Sequence, residues 1–276
     1  MKKDVTDPRP RPMSPPNEYD DAMVATLELI WGEGFMAPGG AGNLAKLVEG
    51  LELEGRRALD IGCGLGGPAC LLAERYGAQV VGTDLEPPLI ERARRRAARL
   101  GLGDRVRFEV VSRGPLAFAD ESFDLVLSSG GLTQTDDKPA AFRECLRVLK
   151  PGGTFSAYDW MKSEGPYSRD MQYWFEMEGL TYALETPRGQ EAALREAGFE
   201  DVVVTDASDW YRAEVRREYE RLRSRDHPVL VERIGREAAD HFVEDWRAMV
   251  VVCEKGEMLQ AYSRARRPRA TPGPTR

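Results

Sequence analysis

Histidine is scarce in this chain of 276 residues: only His227 and His241 occur, and the four cysteines, Cys63, Cys70, Cys145 and Cys253, show no C-x-x-C spacing. That scarcity leaves no ligand set for a metal site and no disulfide framework, so free, mostly buried thiols in a reducing compartment are expected. Positive charge is also in deficit, with 39 Lys and Arg against 46 Asp and Glu for a net charge of -7. A nucleic-acid partner is disfavoured, because neutralising phosphates needs a basic surface. No run of about eighteen apolar residues occurs and no signal-peptide pattern opens the sequence, so no membrane partner and a cytoplasmic location are expected. At 42% hydrophobic and 31% charged residues, the composition suits one large globular domain.

What the chain does have is glycine in one dense stretch, Ala58-Leu59-Asp60-Ile61-Gly62-Cys63-Gly64-Leu65-Gly66-Gly67-Pro68-Ala69. An apolar strand enters a glycine turn and a helix opens behind it, which is the pattern of a nucleotide-binding turn. Glycines permit positive φ and close backbone approach, and the helix directs its positive end at the ligand. Gly62, Gly64 and Gly67 also satisfy G-x-G-x-x-G, so this stretch alone does not separate a nicotinamide dinucleotide from S-adenosylmethionine. A second strand, Gln79–Thr83, ends in Asp84, at the place where an acid grips the ribose hydroxyls of an adenosine.

Residues 1–17 carry five prolines among charged residues and predict a disordered tail. From 18 to 56, apolar residues at helical spacing (Met23, Val24, Leu27, Ile30, Trp31), a Gly/Pro break and a short helix from Asn43 to Gly50 predict a helical lid. From 57 to 160 strand and helix alternate, predicting a doubly wound, mostly parallel α/β sheet. Its strands are Arg57–Ile61, Gln79–Thr83, Val106–Val111, Phe123–Ser128 and Thr154–Tyr158. Arg92, Arg94, Arg95, Arg96 and Arg99 read as the solvated face of the helix Pro88–Leu100. Residues 161–265 predict an aromatic-rich cover, a sixth strand at Asp201–Thr205, charged helices and a last strand at Leu259–Ala265, with 266–276 a second disordered tail.

In open α/β sheets ligands bind just past the carboxyl ends of the strands. That rule selects Asp60, Gly62 and Gly64, Asp84 and Leu85, Ser112 and Arg113, and Ser129 as cofactor-binding candidates. It also selects Gln134, Asp159 and Trp160 on the acceptor side, with Trp31 and Phe35 of the lid and Tyr182 of the aromatic stretch as further substrate-facing candidates. Tyr19, Gln134 and Asp159 are the side chains available to orient an acceptor or take its proton.

The glycine loop, the acid after the second strand and the turn Lys150-Pro151-Gly152-Gly153 before the fifth strand resemble, in order and spacing, the class I S-adenosylmethionine-dependent methyltransferases. The resemblance implies a Rossmann-like, seven-stranded fold and S-adenosylmethionine as cofactor. Glu18-Tyr19-Asp20, Trp31-Gly32-Glu33-Gly34-Phe35, Pro38-Gly39-Gly40, Ser208-Asp209-Trp210-Tyr211 and Asp245-Trp246-Arg247 are further similar to phosphoethanolamine and sarcosine/dimethylglycine N-methyltransferases. Those families methylate small amines, which implies a small-molecule acceptor and a role for Tyr19 as a lid tyrosine beside the active site.

The chain departs from those relatives where they carry an Asp and a His after strand four: here Gly130 and Gln134 occupy the places, and Ser112 replaces the acid after strand three. A glutamine accepts no proton at neutral pH, so a tyrosine–histidine arrangement cannot operate. The expected acceptor is therefore one that needs no strong enzyme base, reached by direct in-line displacement: an amine of lowered pKa, an amino acid or an imidazole. The alternatives are oxygen or carbon methylation of a natural product, and a catalytically silent protein that binds the nucleotide.

Overall fold

The computed structural model describes residues 19–180 and 182–269; the expected N-terminal tail and residues 270–276 lie outside the described residues. The seven strands are β1 (Arg57–Ile61), β2 (Gln79–Asp84), β3 (Val106–Val110), β4 (Phe123–Ser129), β5 (Leu149–Lys162), β6 (Glu200–Asp206) and β7 (Met258–Arg266). They form one sheet in the order β3-β2-β1-β4-β5-β7-β6. The first five strands run parallel, and β7 is antiparallel to both β5 and β6. The parallel strands are apolar because helices cover both faces: Ala58, Leu59, Val126 and Leu127 are almost wholly buried.

On one face lie α3 (Gly67–Tyr76) and α4 (Pro87–Arg99); on the other lie α5 (Lys138–Val148) and α7 (Pro187–Glu196). Leu89, Ile90, Ala93 and Ala97 form the buried stripe of α4, as their spacing predicts. Its arginines are more than a solvated face. Arg92 pairs with Asp21, Arg96 with Glu28 at 3.0 Å and Glu33 at 3.4 Å, and Arg99 with Glu33, while Arg94 donates to the Phe108 carbonyl. The acids belong to the N-terminal helical segment, α1 (Asp21–Trp31), α2 (Gly40–Leu47) and the loop between them, so these arginines fasten that segment to α4.

Helix α1 starts where Asp20 accepts the Met23 N–H at 2.8 Å, a side-chain N-cap, and stops at Gly32 with φ of 100°. The apolar face of α1 joins a second core with α6 (Arg169–Glu178), α8 (Ser208–Leu222), α9 (His227–Ile234) and α10 (Arg236–Glu254). The stretch from 161 to 186, expected to be irregular, contains α6, capped by Ser168 on the Met171 N–H. Strand β5 is longer than its expected Thr154–Tyr158 because β7 pairs with it from Thr154 to Lys162. The expected tail from 266 also begins later: Arg266 closes β7, and the Arg267 guanidinium donates to the Leu146, Arg147 and Leu149 carbonyls and pairs with Glu121.

Candidate active site

The loop after β1 is held by its own backbone and by the end of β2. Gly62 and Cys63 N–H both donate to the Thr83 carbonyl, at 2.8 and 3.0 Å, and Gly64 N–H donates to the Asp84 carboxylate at 2.9 Å. Gly62 has φ of +69°, and a Cβ there would stand 2.5 Å from the Gly131 Cα. Gly64 has φ of +50°, and a Cβ there would meet Met36 at 2.8 Å. Both positions therefore demand glycine twice over, by conformation and by space. The lid closes on the same loop: Gly67 N–H donates to the Gly34 carbonyl at 3.0 Å, and Gly34 N–H donates to Glu28 at 2.7 Å.

A cavity of about 590 Å³ opens at the carboxyl ends of the parallel strands. Tyr19, Gly62, Gly64, Asp84, Leu85, Ser112, Arg113, Ser129 and Gln134 all line it, so nine of the residues singled out from sequence meet in one place. Asp60 lies off that wall, 1% exposed at the end of β1, and neither of its carboxylate oxygens has a hydrogen-bond partner. Burial first, and the Asp84 charge second, push its carboxyl up to about 8, against the pull of the nearby Ala69 amide.

The turn from Gly130 to Thr135 presents Gln134 to the cavity, with its buried amide nitrogen unpartnered. Behind it, Thr133 donates to Asp159 at 3.3 Å. Burial raises the Asp159 carboxyl to about 6, and Lys138, the Thr133 hydroxyl and the Leu132 amide oppose that rise. Asp159 thus stands one layer behind the cavity rather than on its wall. The other expected acceptor-side residues are also set back. The Trp31 indole donates to Glu218 at 2.7 Å, and Phe35 packs by Gly32, Gly40 and Gly67. Trp160 and Tyr182 face each other at 5.5 Å within the second core. Their aromatic bulk serves packing first, because the second core supplies partners on every side.

Several contributors escape a sequence reading. Lys138, next to Asp136-Asp137, looks solvent-exposed in sequence. In the fold it is 6% exposed, and its ammonium donates to the Leu132, Thr135 and Ala183 carbonyls at 3.0, 3.0 and 2.6 Å. Gly131 left a readable signal, a glycine directly after Gly130; a Cβ on it would stand 2.5 Å from the Ile61 carbonyl. Met36, Leu132 and Arg143 also line the cavity, with no local pattern to announce them. Neither histidine does so, and among the described residues no cluster of three or more His, Cys, Asp or Glu has a metal-holding arrangement.

The strand order with its antiparallel β7, the glycine loop and the acid at the end of β2 define a class I methyltransferase fold, and residues 59–157 match the family described as Methyltransferase domain. The group that this fold holds is S-adenosylmethionine, and the tight glycine cradle and the unpartnered Asp60 carboxylate fit it.

In particular, the chain is 31% identical over 241 residues to phosphoethanolamine N-methyltransferase 1 of Arabidopsis thaliana, a match that covers 87% of this chain and 48% of the relative. Its fold is similar to Haemonchus contortus phosphoethanolamine N-methyltransferase 2 in complex with phosphomonomethylethanolamine and S-adenosylhomocysteine. That similarity has a TM-score of 0.85 at 25% identity, over 92% of this chain and 59% of that one. A putative sarcosine dimethylglycine methyltransferase from Galdieria sulphuraria shares the fold at TM-score 0.78 and 18% identity, over 91% of this chain and 98% of that one. The chain spans about half the length of the curated plant relatives it matches, 48% for the Arabidopsis thaliana protein.

Proposed function

We propose that this protein transfers a methyl group from S-adenosylmethionine to the nitrogen of a small amine, amino acid or imidazole. The observation that carries the reading is the cavity itself. A glycine loop and Asp84 form one wall, Tyr19 and Gln134 line it as well, and its volume of about 590 Å³ suits a nucleoside cofactor with a small acceptor. When bound, the sulfonium supplies an electrophilic methyl carbon and a thioether leaving group.

The chain's own residues then have separable tasks. Asp84 takes the ribose hydroxyls, Leu85 offers an exposed apolar face for the base, and Ser112 and Arg113 close that side. Asp60 sits under the turn of the loop, where its unpartnered oxygens favour the positively charged amino-acid end of the cofactor. Gln134 and Tyr19 orient the acceptor lone pair towards the methyl carbon, and the lid that rests on Gly67 keeps water out. The lack of a histidine on the cavity wall supports an acceptor that arrives with a free lone pair.

The test is release of S-adenosylhomocysteine by the purified protein given S-adenosylmethionine, across glycine, sarcosine, dimethylglycine, phosphoethanolamine, histidine, thiol-bearing histidines and a set of phenols. Turnover with a nitrogen acceptor and a product mass one methyl group heavier supports the reading. Turnover confined to phenols, or silence across the panel with the cofactor bound, refutes it.

A further inference from the structure

The acceptor side of the site holds a second set of polar groups, and what they ask for narrows the substrate class; this rests on the methyltransferase reading above. From Gln134 a run of contacts leads inward. Ala183 N–H donates to the Thr133 carbonyl at 3.1 Å, Thr133 donates to Asp159, and Trp160 follows Asp159 on β5. Trp160 meets Trp174 edge-on at 5.3 Å, and Trp174 stacks on Tyr182 at 5.2 Å. The Tyr182 hydroxyl donates to Glu178 at 2.9 Å. Glu178 hydrogen-bonds Asp245 of α10, which requires one of the two carboxyls to keep its proton. The run also reaches the cavity wall, because Tyr182 lies within electrostatic range of Tyr19, which lines it.

Along this run Asp159 Oδ2, Trp160 Nε1, Trp174 Nε1, Glu178 Oε2 and Asp245 Oδ1 are all buried without a hydrogen-bond partner. Trp174 is 0% and Asp245 1% exposed. Native interiors leave few polar atoms unpaired, and so many in one chamber mark a place completed by a bound molecule. Three of the five are carboxyl oxygens, and the ring faces beside them also attract cations. Lys138, the buried cation nearest Asp159, is already engaged by three carbonyls. Among the dominant influences on Glu178 and Asp245 the only basic group is His241.

We propose that this chamber receives the far end of the methyl acceptor and that this end is a cation: the acceptor is a small molecule with two basic nitrogens, one methylated beside Gln134, the other held by Glu178 and Asp245. A phosphomonoester, by contrast, would face buried carboxyls with no free lysine or arginine to balance it, so phosphoethanolamine is a poor fit for this chain.

The test is calorimetric titration of the full chain, saturated with S-adenosylhomocysteine, with histamine, 1,3-diaminopropane and phosphoethanolamine. The expected result is binding of a diamine at least about tenfold tighter than phosphoethanolamine, as charge-assisted hydrogen bonds in a buried site confer. That margin falls to about threefold or less in Glu178→Gln/Asp245→Asn, since rejection of the wrong charge goes with the acids. Equal or tighter binding of phosphoethanolamine overturns the assignment, as does a margin that survives in the double variant. Indole fluorescence of the wild type needs no substitution: emission shifts as the chamber by Trp160 and Trp174 fills, and an unchanged spectrum at saturating diamine overturns the placement. Intact S-adenosylhomocysteine binding with no diamine bound overturns the inference and leaves the methyltransferase reading standing. Absence of S-adenosylhomocysteine binding overturns both.

Discussion

Asp84 and Gly64 are joined directly: the carboxylate at the end of β2 accepts the N–H of the glycine loop at 2.9 Å, while its other oxygen accepts the Glu86 N–H at 3.0 Å. One side chain thus holds the loop in shape and faces the cavity. Asp84→Ala is expected to weaken S-adenosylhomocysteine binding by about 2–3 kcal/mol, the scale of charge-assisted hydrogen bonds lost from a built site. Asp84→Asn, which keeps an oxygen for Gly64, should lose less. Calorimetry on both variants checks this, and equal losses would mean that Asp84 does not act through the loop.

Asp60 predicts a pH dependence. Its carboxyl is raised from an ordinary value near 3.8 to about 8, so between those values the folded chain holds a proton that the unfolded chain has released. The stability it contributes is complete below the unfolded pKa and is lost as pH rises through the folded one. Asp159, raised to about 6, and Glu218, raised to about 7, act in the same direction. Asp60→Asn is expected to flatten the fall in Tm between about pH 5 and pH 8 by several degrees relative to the wild type, both without cofactor. Parallel melting curves would show that Asp60 does not keep its proton.

Gln134 presents an unpartnered amide nitrogen beside the cavity. Gln134→Ala is expected to lower kcat/KM for the accepted substrate by about tenfold, the scale of one orienting hydrogen bond, with S-adenosylhomocysteine affinity unchanged. Steady-state rates and calorimetry on the same preparation separate the two. An unchanged rate would remove Gln134 from the acceptor site.

Lys138 ties three carbonyls from two segments, Leu132 and Thr135 in the turn after β4 and Ala183 in the chain leading to α7. Lys138→Met leaves those carbonyls and the nearby Asp159 without a cation. The expected cost is about 3 kcal/mol in urea denaturation, typical of breaking one side of a buried polar arrangement. A loss below about 0.5 kcal/mol, the range of ordinary surface changes, would contradict the cage.

The parts of this molecule legible in sequence are those written by local rules. The glycine loop and Asp84 could be read because backbone conformation and strand-end position leave residue-type marks. The alternating strands could be read because burial on both faces makes them continuously apolar. Lys138, Glu178, Asp245 and the arginines of α4 could not, because a charged residue on a helix looks solvated until the packing partner is known. The lid acids that meet Arg96 and Arg99 lie more than sixty residues away in the chain. Trp160 and Tyr182 marked an aromatic region correctly, but sequence does not separate a ring that walls a cavity from one that packs a layer behind it.

The sheet order carries a consequence for biosynthesis. Strand β6 reaches the sheet only through β7, which is translated more than fifty residues later, whereas β1 to β5 pair with strands already made. The cofactor half can therefore form on the nascent chain, while β6 waits for residues 258–266 to emerge before it can enter the sheet. A chain stopped before β7 would keep its nucleotide loop and leave β6 unpaired, with apolar surface exposed for chaperones or proteases to recognise.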